Sequence, residues 1–476
     1  MKKSSFLDKY ILTADQEKAL KLFKNWLHNN ESSAPFVLSG FAGTGKTFLS
    51  SIMLKAVEKK SLCWTVVAPT HKAVGVLKDS LEKEDLQPTW YPSTVHRLLR
   101  LKLKRRGDLE LCQKTDQTAN SLEQLGLVLL DEASMVDSSL LEIIFECAHP
   151  FRTRLVFVGD PEQLPPVGES QSPVFTIKRA KKAYLKEVVR HKGPVLHLAT
   201  LLREGQIPCK QPNCFPILSN NKGLIGVIDQ ENWLRRAQVS LKEAANGNNP
   251  DAARIVCYTN RTLESLVPHA RRAIHGDMAD QLPVLPGEIL ISRTAVMAPS
   301  SLEGEDTGEE PGMIVGSNRE LIVRDVESDE CDLRDFGLIG ESDWDVPVIK
   351  TLVVKVTVGE NEFSLRLSPP VGTNARLLLD QTLNRLRHKA KDSKCNEDRI
   401  LWRKFFFIRD AFANLGPASV LTVHRSQGST FGKVFVSSDV FWPSNNILRK
   451  QLVYVAITRA SNEVWLSGCN KIDKEL

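Results

Sequence analysis

Between the apolar run Pro35-Phe-Val-Leu-Ser39 and the helix-prone stretch opening Phe48-Leu-Ser-Ser-Ile-Met-Leu lies the octet GFAGTGKT, Gly40 to Thr47. It fits G-x-x-x-x-G-K-[ST], and its surroundings read as a strand, a glycine turn and a helix start. A turn built on Gly40, Gly43 and Gly45, with Thr44 between them, points consecutive backbone N–H groups inward at a polyphosphate. The following helix adds the positive end of its dipole. In that scheme Lys46 reaches the β and γ phosphates, and the Thr47 hydroxyl takes a Mg²⁺ position. The loop implies that a nucleotide binds; it does not say what binding drives.

At 476 residues the chain is too long for one core and suggests several domains. Its formal charge of +6 hides an uneven distribution. From Ser300 to Val346 fifteen Asp or Glu stand against three Arg, a net of −12, so the remainder carries +18. A basic body suggests a polyanionic partner. The nine cysteines are scattered without C-x₂-C pairs, which reads as free thiols in a reducing cytosol. No run approaches eighteen apolar residues and MKKSSFLDKY has no apolar core, so neither a membrane span nor a signal peptide is expected, and the location expected is cytoplasmic.

Thr13 reads as a helix N-cap with Gln16 as its capping-box partner, ahead of a stripe of Ala19, Leu20, Phe23 and Leu27. Gln16 has a second reading, since a Gln amide just before the phosphate loop can pair with both hydrogen-bonding edges of adenine. Ser61 to Thr70 reads as a buried strand ending at Pro69. Pro69, Thr70, His71 and Lys72 then follow at the strand's carboxyl end, where ligands bind in open α/β sheets. Short hydroxyl and imidazole groups with a lysine suit a phosphodiester. Thr94 to Arg106, which includes His96, alternates aliphatic and basic residues and predicts a strand, with Gly107-Asp108 turning into a return strand at Leu109. Its six Lys or Arg admit a solvated face or a hairpin that touches DNA.

Leu127-Val-Leu-Leu predicts a buried parallel strand that delivers Asp131 and Glu132 to the phosphate side of a sheet. Asp131 can hold the Mg²⁺ shell while Glu132 orients and deprotonates a water. The strand Arg154 to Gly159 runs into a proline- and glycine-fixed turn that could hold the Gln163 amide at a γ-phosphate.

GFAGTGKT, APTHKAV, LLDEAS and GDPEQLPPVG, in that order, resemble the first half of a superfamily 1 helicase of the Dda/RecD-like group, whose members move 5′ to 3′ on single-stranded DNA. Tyr184 to Arg190 resembles the family segment that supplies an arginine to the γ-phosphate, which implies that role for Arg190. Val256 to Arg261 is similar to the opening of the second motor domain, and Leu421 to Thr430 and Gln451 to Ala460 resemble the two late motifs. From the residues themselves, Val420-Leu-Thr-Val reads as a short strand with Thr422, His424 and Arg425 at its end for DNA phosphates. Gln427 and Gly428 are expected to start a helix facing the nucleotide, and Tyr454 to Thr458 reads as a buried strand closed by Arg459. An arginine delivered this way to the transferring phosphoryl group is worth roughly 10³ to 10⁵ in rate.

The fold class expected is α/β, with two RecA-like P-loop motor domains, residues 1–190 and 191–476. The first carries a hairpin at about 98–124. The second carries a β-rich insertion at about 288–414, for which the resemblance implies a small SH3-like barrel. The acidic loops from Glu303 to Glu310 and from Glu327 to Asp335 repel phosphates and are read as solvated or facing a protein partner. The function expected is ATP- and Mg²⁺-dependent unwinding of forked or duplex DNA by a monomer moving on a single strand, with no membrane partner. A translocase that does not separate strands and a nucleotide-gated DNA-binding module are the alternatives.

Overall fold

The structure is a computed structural model, and it describes residues 12–29, 34–106, 109–166, 168–187, 193–298, 313–341, 344–359, 361–392 and 397–468. Arg190 and the acidic stretch from Glu303 to Glu310 lie outside those residues.

In chain order the first unit comprises α1 (Ala14–His28), β1 (Phe36–Gly40), α2 (Lys46–Glu58), β2 (Trp64–Ala68), α3 (His71–Lys83), β3 (Ser93–Thr94) and α4 (Val95–Leu98). It continues with β4 (Lys102–Arg106), β5 (Leu109–Gln113), β6 (Leu127–Leu130), α5 (Ser138–Ala148), β7 (Arg154–Gly159) and β8 (Lys181–Leu185). Six strands form one sheet in the order β3-β2-β6-β7-β1-β8, parallel throughout. β1, β2 and β6 are buried at every position, as strands covered by helices on both faces must be. The first core therefore has two layers, with Phe23, Trp26 and Leu49 on one face and Leu130, Ile144 and Phe157 on the other.

The second unit comprises α6 (Pro194–Arg203), β9 (Leu218–Asn220), β10 (Gly223–Asp229), α7 (Gln230–Asn246), β11 (Ala253–Cys257), α8 (Asn260–His275) and α9 (Met278–Gln281). Next come β12 (Ile289–Ser292), β13 (Val296–Met297), β14 (Met313–Val315), β15 (Glu320–Asp332), β16 (Val348–Val358), β17 (Asn361–Arg366), α10 (Asn374–Asp392) and α11 (Glu397–Asp410). β18 (Leu415–Pro417), β19 (Val420–Thr422), β20 (Phe431–Val436), α12 (Asn446–Thr458) and β21 (Ala460–Gly468) complete it. A second six-stranded sheet has the order β19-β11-β20-β21-β10-β9, parallel except at the β9 edge. Between β11 and β19 the chain leaves to build a five-stranded antiparallel sheet, β17-β16-β15-β12-β18, packed against α10 and α11.

Four sequence-based expectations change. Thr94 caps α4 by accepting from Arg97 N at 3.3 Å, so the stretch after it begins as a short helix, and the antiparallel hairpin spans only β4 and β5. Tyr454 to Thr458 is the end of a helix: α12 is buried at every position from Gln451 to Ile457, and an element covered on all sides has no apolar periodicity to read. Gln427 and Gly428 lie in a turn, with Gly428 at a left-handed φ of 73°, and start no helix. Glu327 to Asp332 is the far half of strand β15, where Lys355 bonds both Asp325 and Glu327, and Arg366 bonds Asp329 at 2.5 Å.

One ion pair ties the antiparallel sheet to the second parallel one. Arg271 of α8 meets Glu288, just before β12, through two bonds of 2.8 and 3.1 Å, and both groups are under one-tenth exposed. The remaining guanidinium donors reach Ala279 O and Leu282 O, and Leu285 N donates to the same carboxylate. Removing one partner of such a buried pair costs about 3 to 5 kcal/mol. Glu288→Ala is therefore expected to lower the urea-unfolding free energy by that amount, and a loss under about 1 kcal/mol would contradict the pair's role.

Candidate nucleotide site between two sheets

The glycine loop leaves β1 and enters α2 through Gly43 and Gly45, at φ 80° and 78°. Both values lie in the left-handed region, which glycine enters without steric cost. Gly45 caps α2 with no side-chain bond, and the first turn of that helix has no acidic residue. A helix start with neither a capping side chain nor a nearby acid is suited to an anion. The Lys46 ammonium folds back onto Gly40 O and Phe41 O at 2.8 and 3.0 Å, and Thr44 Oγ1 donates to Phe41 O at 2.8 Å.

Both amide ends of Gln16 are taken inside the protein. Its Oε1 accepts from Thr13 N at 3.1 Å, completing the capping box, and its Nε2 donates to Thr44 O at 3.0 Å. At 1% exposure the side chain ties α1 to the loop, with one N–H and one oxygen lone pair beyond these two bonds.

β6 delivers Asp131 and Glu132 to the same end of the sheet. Glu132 sits at φ 53°, a left-handed conformation unusual for a residue with a Cβ, and its N–H donates to Asp131 Oδ1 at 2.8 Å. Burial, then the neighbouring Glu132 charge, pushes the Asp131 carboxyl up to about 7, with the Glu132 N–H and Lys46 pulling it back. β7 delivers the turn from Asp160 to Leu164, where Ser134 Oγ donates to Gln163 Oε1 at 3.5 Å. Asp160 is fully buried and its carboxyl is raised above the usual range, chiefly by that burial.

The second sheet closes on this loop. Ala42 N donates to Tyr454 Oη at 3.0 Å, and Tyr454 Oη donates to Asp160 Oδ2 at 2.8 Å. Gln427 Nε2 donates to Leu164 O at 3.3 Å. The Arg203 guanidinium stands 3.7 Å from the centre of the Phe41 ring. Arg459 is buried, with bonds to Val455 O and Ser429 O at 3.2 and 3.0 Å. Burial lowers its pKa, while Glu132, Tyr454 and Asp160 pull the other way. Tyr454 and Asp160 do not stand out in the sequence; their only signal is that each lies inside a helicase-like motif.

The residues expected to touch DNA lie at neighbouring strand ends. Thr70 caps α3 through Ala73 N at 3.3 Å, and Thr422 Oγ1 accepts from Arg425 N at 3.4 Å. A Cβ placed on Gly428 would stand 3.8 Å from Thr70 Oγ1 and 3.6 Å from Ala73 Cβ, so the turn that follows β19 stands against the start of α3. Pro69 opens the turn that Thr70 ends. Lys72 is 3.5 Å from Glu320 and 5.1 Å from the Phe431 ring centre, and His71 packs against Gly316. His96 lies within α4, the His424 ring centre is 6.3 Å from that of Tyr258, and Arg425 donates to Arg293 O at 3.2 Å. Among the described residues no cluster of metal-ligating side chains forms and no helix is long and apolar enough to cross a membrane.

Residues 12–215 match the family model described as an AAA domain, and residues 417–467 that of a UvrD-like helicase C-terminal domain. The ATP-dependent DNA helicase dda of Enterobacteria phage T4 is 23% identical over 470 residues, 95% of this chain and 98% of that protein. The ATP-dependent RecD2 DNA helicase of Deinococcus radiodurans is 29% identical over 176 residues, 36% of this chain and 22% of that one. A crystal structure of Pif1 helicase from Bacteroides with ADP-AlF3 and ssDNA is 17% identical, covers 96% of this chain and 92% of that one, and has a TM-score of 0.47. The phosphate loop and paired parallel sheets define a two-domain nucleotide-binding α/β protein. More narrowly, the chain belongs to the Dda/RecD-like superfamily 1 helicases.

The three imidazoles at these strand ends share one electrostatic feature. Burial is the largest cause that lowers His71, His96 and His424 below 6.5, with Arg319, Arg97 and Lys78 adding to it at His71. Between their folded and unfolded pKa values the unfolded chain binds more protons, so these groups withdraw stability as pH falls through 6.5. NMR titration of the histidine C–H resonances is expected to give midpoints below 6.5 for all three; midpoints at or above that value would contradict the burial.

Proposed function

We propose that the chain is an ATP-driven DNA helicase that moves 5′ to 3′ on single-stranded DNA. The observation that carries the reading is the convergence of groups from two sheets on one phosphate loop: Lys46, Asp131, Glu132 and Gln163 from the first, and Gln427, Tyr454 and Arg459 from the second.

On nucleotide entry Lys46 would exchange the Gly40 and Phe41 carbonyls for β and γ phosphate oxygens, and the N–H groups of Gly43, Gly45 and Thr47 would close on the chain. Thr47 and Asp131 fit a Mg²⁺ ion, because a carboxyl raised by burial beside Glu132 gains from a nearby cation. The ion supplies neutralisation of phosphate charge. Glu132 would orient and deprotonate the attacking water, Gln163 would hold the γ-phosphate side, and Arg459 would meet the charge that develops there. Arg190 is assigned the matching arginine of the first domain, and the two domains divide near it. ATP then joins the sheets and hydrolysis lets them part.

Pro69, Thr70, His71, Lys72 and His96 from one unit and Thr422, His424 and Arg425 from the other would form the DNA track, with the turn after β19 set against Thr70. The β4–β5 hairpin is assigned strand separation at the fork. The antiparallel sheet is read as an SH3-like insertion, and the acidic face of β15 as its surface toward a protein partner. The active species is assigned as a monomer.

Lys46→Ala is expected to abolish DNA-stimulated phosphate release while leaving DNA binding within about a few fold of wild type, since the ammonium it removes would face phosphate and not the DNA track. Retained turnover would contradict the site. A forked duplex with a 5′ tail is expected to unwind and one with a 3′ tail is not. The reverse preference sinks the polarity, and ATP hydrolysis without unwinding on either fork leaves a translocase.

A further inference from the structure

From Leu452 to Ile457, α12 presents one polar side-chain atom, the Tyr454 hydroxyl, among Leu452, Val453, Val455, Ala456 and Ile457, all buried. Phenylalanine would fill the same volume, and a hydroxyl taken out of water costs stability unless both its donor and acceptor functions are met. Here both are met outside the second sheet. The oxygen accepts from Ala42 N inside the phosphate loop at 3.0 Å, and the O–H donates to Asp160 at 2.8 Å, in the turn that carries Gln163. The acceptor is itself fixed, since its other oxygen accepts from Glu162 N at 3.0 Å. Two further contacts bind the second unit to the same turn, Gln427 to Leu164 O and Lys450 to Glu162 at 3.5 Å. Arg459 caps the end of α12, its Nε bonded to Val455 O of the same helix, so where α12 stands decides where that guanidinium stands.

We infer that Tyr454 is a positioning residue: its hydroxyl ties the phosphate loop and the Asp160 turn to α12, and so sets the place of Arg459 relative to a bound nucleotide. This rests on the hydrolytic reading of the cleft given above. The tie spans the closing surface, so it acts on turnover and not on the grip of the loop on phosphate.

Tyr454→Phe tests it with two readouts on the full chain. Deuterium exchange of the nucleotide-free protein is expected to quicken in the peptide spanning 36–47, because Ala42 N loses its acceptor. The kcat of DNA-stimulated ATP hydrolysis is expected to fall about tenfold while KM for ATP stays within about twofold, the pattern of an interaction that matters in the transition state. Should the variant's thermal midpoint drop, Asp160→Asn, which turns one of the two accepting carboxylate oxygens into a donor and leaves a single acceptor for the Tyr454 O–H and Glu162 N, is expected to show the same split. Unchanged exchange overturns the tie. Quickened exchange with unchanged kcat, or a rise in KM alone, overturns the positioning role. If the wild-type chain hydrolyses no ATP with saturating single-stranded DNA, the helicase reading fails, and the exchange arm still decides whether the tie exists.

Discussion

A helix start capped by a glycine, with no acid in its first turn, is the constraint on which the rest of the molecule depends. Gly43 and Gly45 can take their left-handed conformations because nothing branched is required there, and the bare first turn of α2 is what results. Such a turn cannot be covered by apolar side chains without orphaning its donors. It has to stay open to an anion, and the residues that frame it must come from elsewhere in the chain. The first sheet supplies part of the frame: Gln16 holds the loop through Thr44 O, while β6 and β7, two of the strands nearest β1, end in Asp131, Glu132 and Asp160.

The frame is completed from the second sheet. Leu164 and Ala42, which belong by sequence to the first unit, pack into the second unit's core beside Phe431 and Val455. Polar contacts between the units at Tyr454, Gln427 and Lys450 fall on the loop and on the turn after β7, and a further one joins Lys72 to Glu320. A cleft built that way links the phosphate to the relative placement of two bodies. The turn after β19 meets the start of α3 at the Gly428–Thr70 contact, and in the proposed function this is where the placement of the two bodies acts on the nucleic-acid track. The antiparallel sheet is held in this frame by Arg271–Glu288 on one side and by Glu320 near Lys72 on the other.

Much of the first sheet was legible in the sequence, because each of its motifs is a buried strand followed within one or two residues by the groups it delivers. That β1, β2 and β6 are buried strands follows from their short apolar runs, and Asp131 and Glu132 are where Leu127 to Leu130 must end. The second unit was less legible for a physical reason. From Leu452 to Ile457 α12 is buried on every side and apolar but for the Tyr454 hydroxyl, so its 3.6-residue period vanishes there and the segment resembles a strand. The turn at Gln427 is set by a single left-handed glycine, which pattern reasoning reads equally well as a helix entry. The Tyr454 tie joins positions 412 and 294 residues apart, and no local signal encodes a pairing at that distance. Glu327 to Asp332 looked like a loop because its acids carry no apolar alternation; as a strand it is stabilised by cross-strand cations at Lys355, Arg366 and Lys350.

The central claim is that one hydrolytic site is assembled from both sheets, and Arg459 is the residue on which it turns. The direct measurement is single-turnover phosphate release by Arg459→Ala with saturating single-stranded DNA, beside nucleotide binding by the same protein. The account predicts a rate lower by roughly 10³ or more with nucleotide affinity retained within about tenfold. Release at the wild-type rate would mean that the first sheet hydrolyses ATP alone, and the two-sheet site would have to be abandoned.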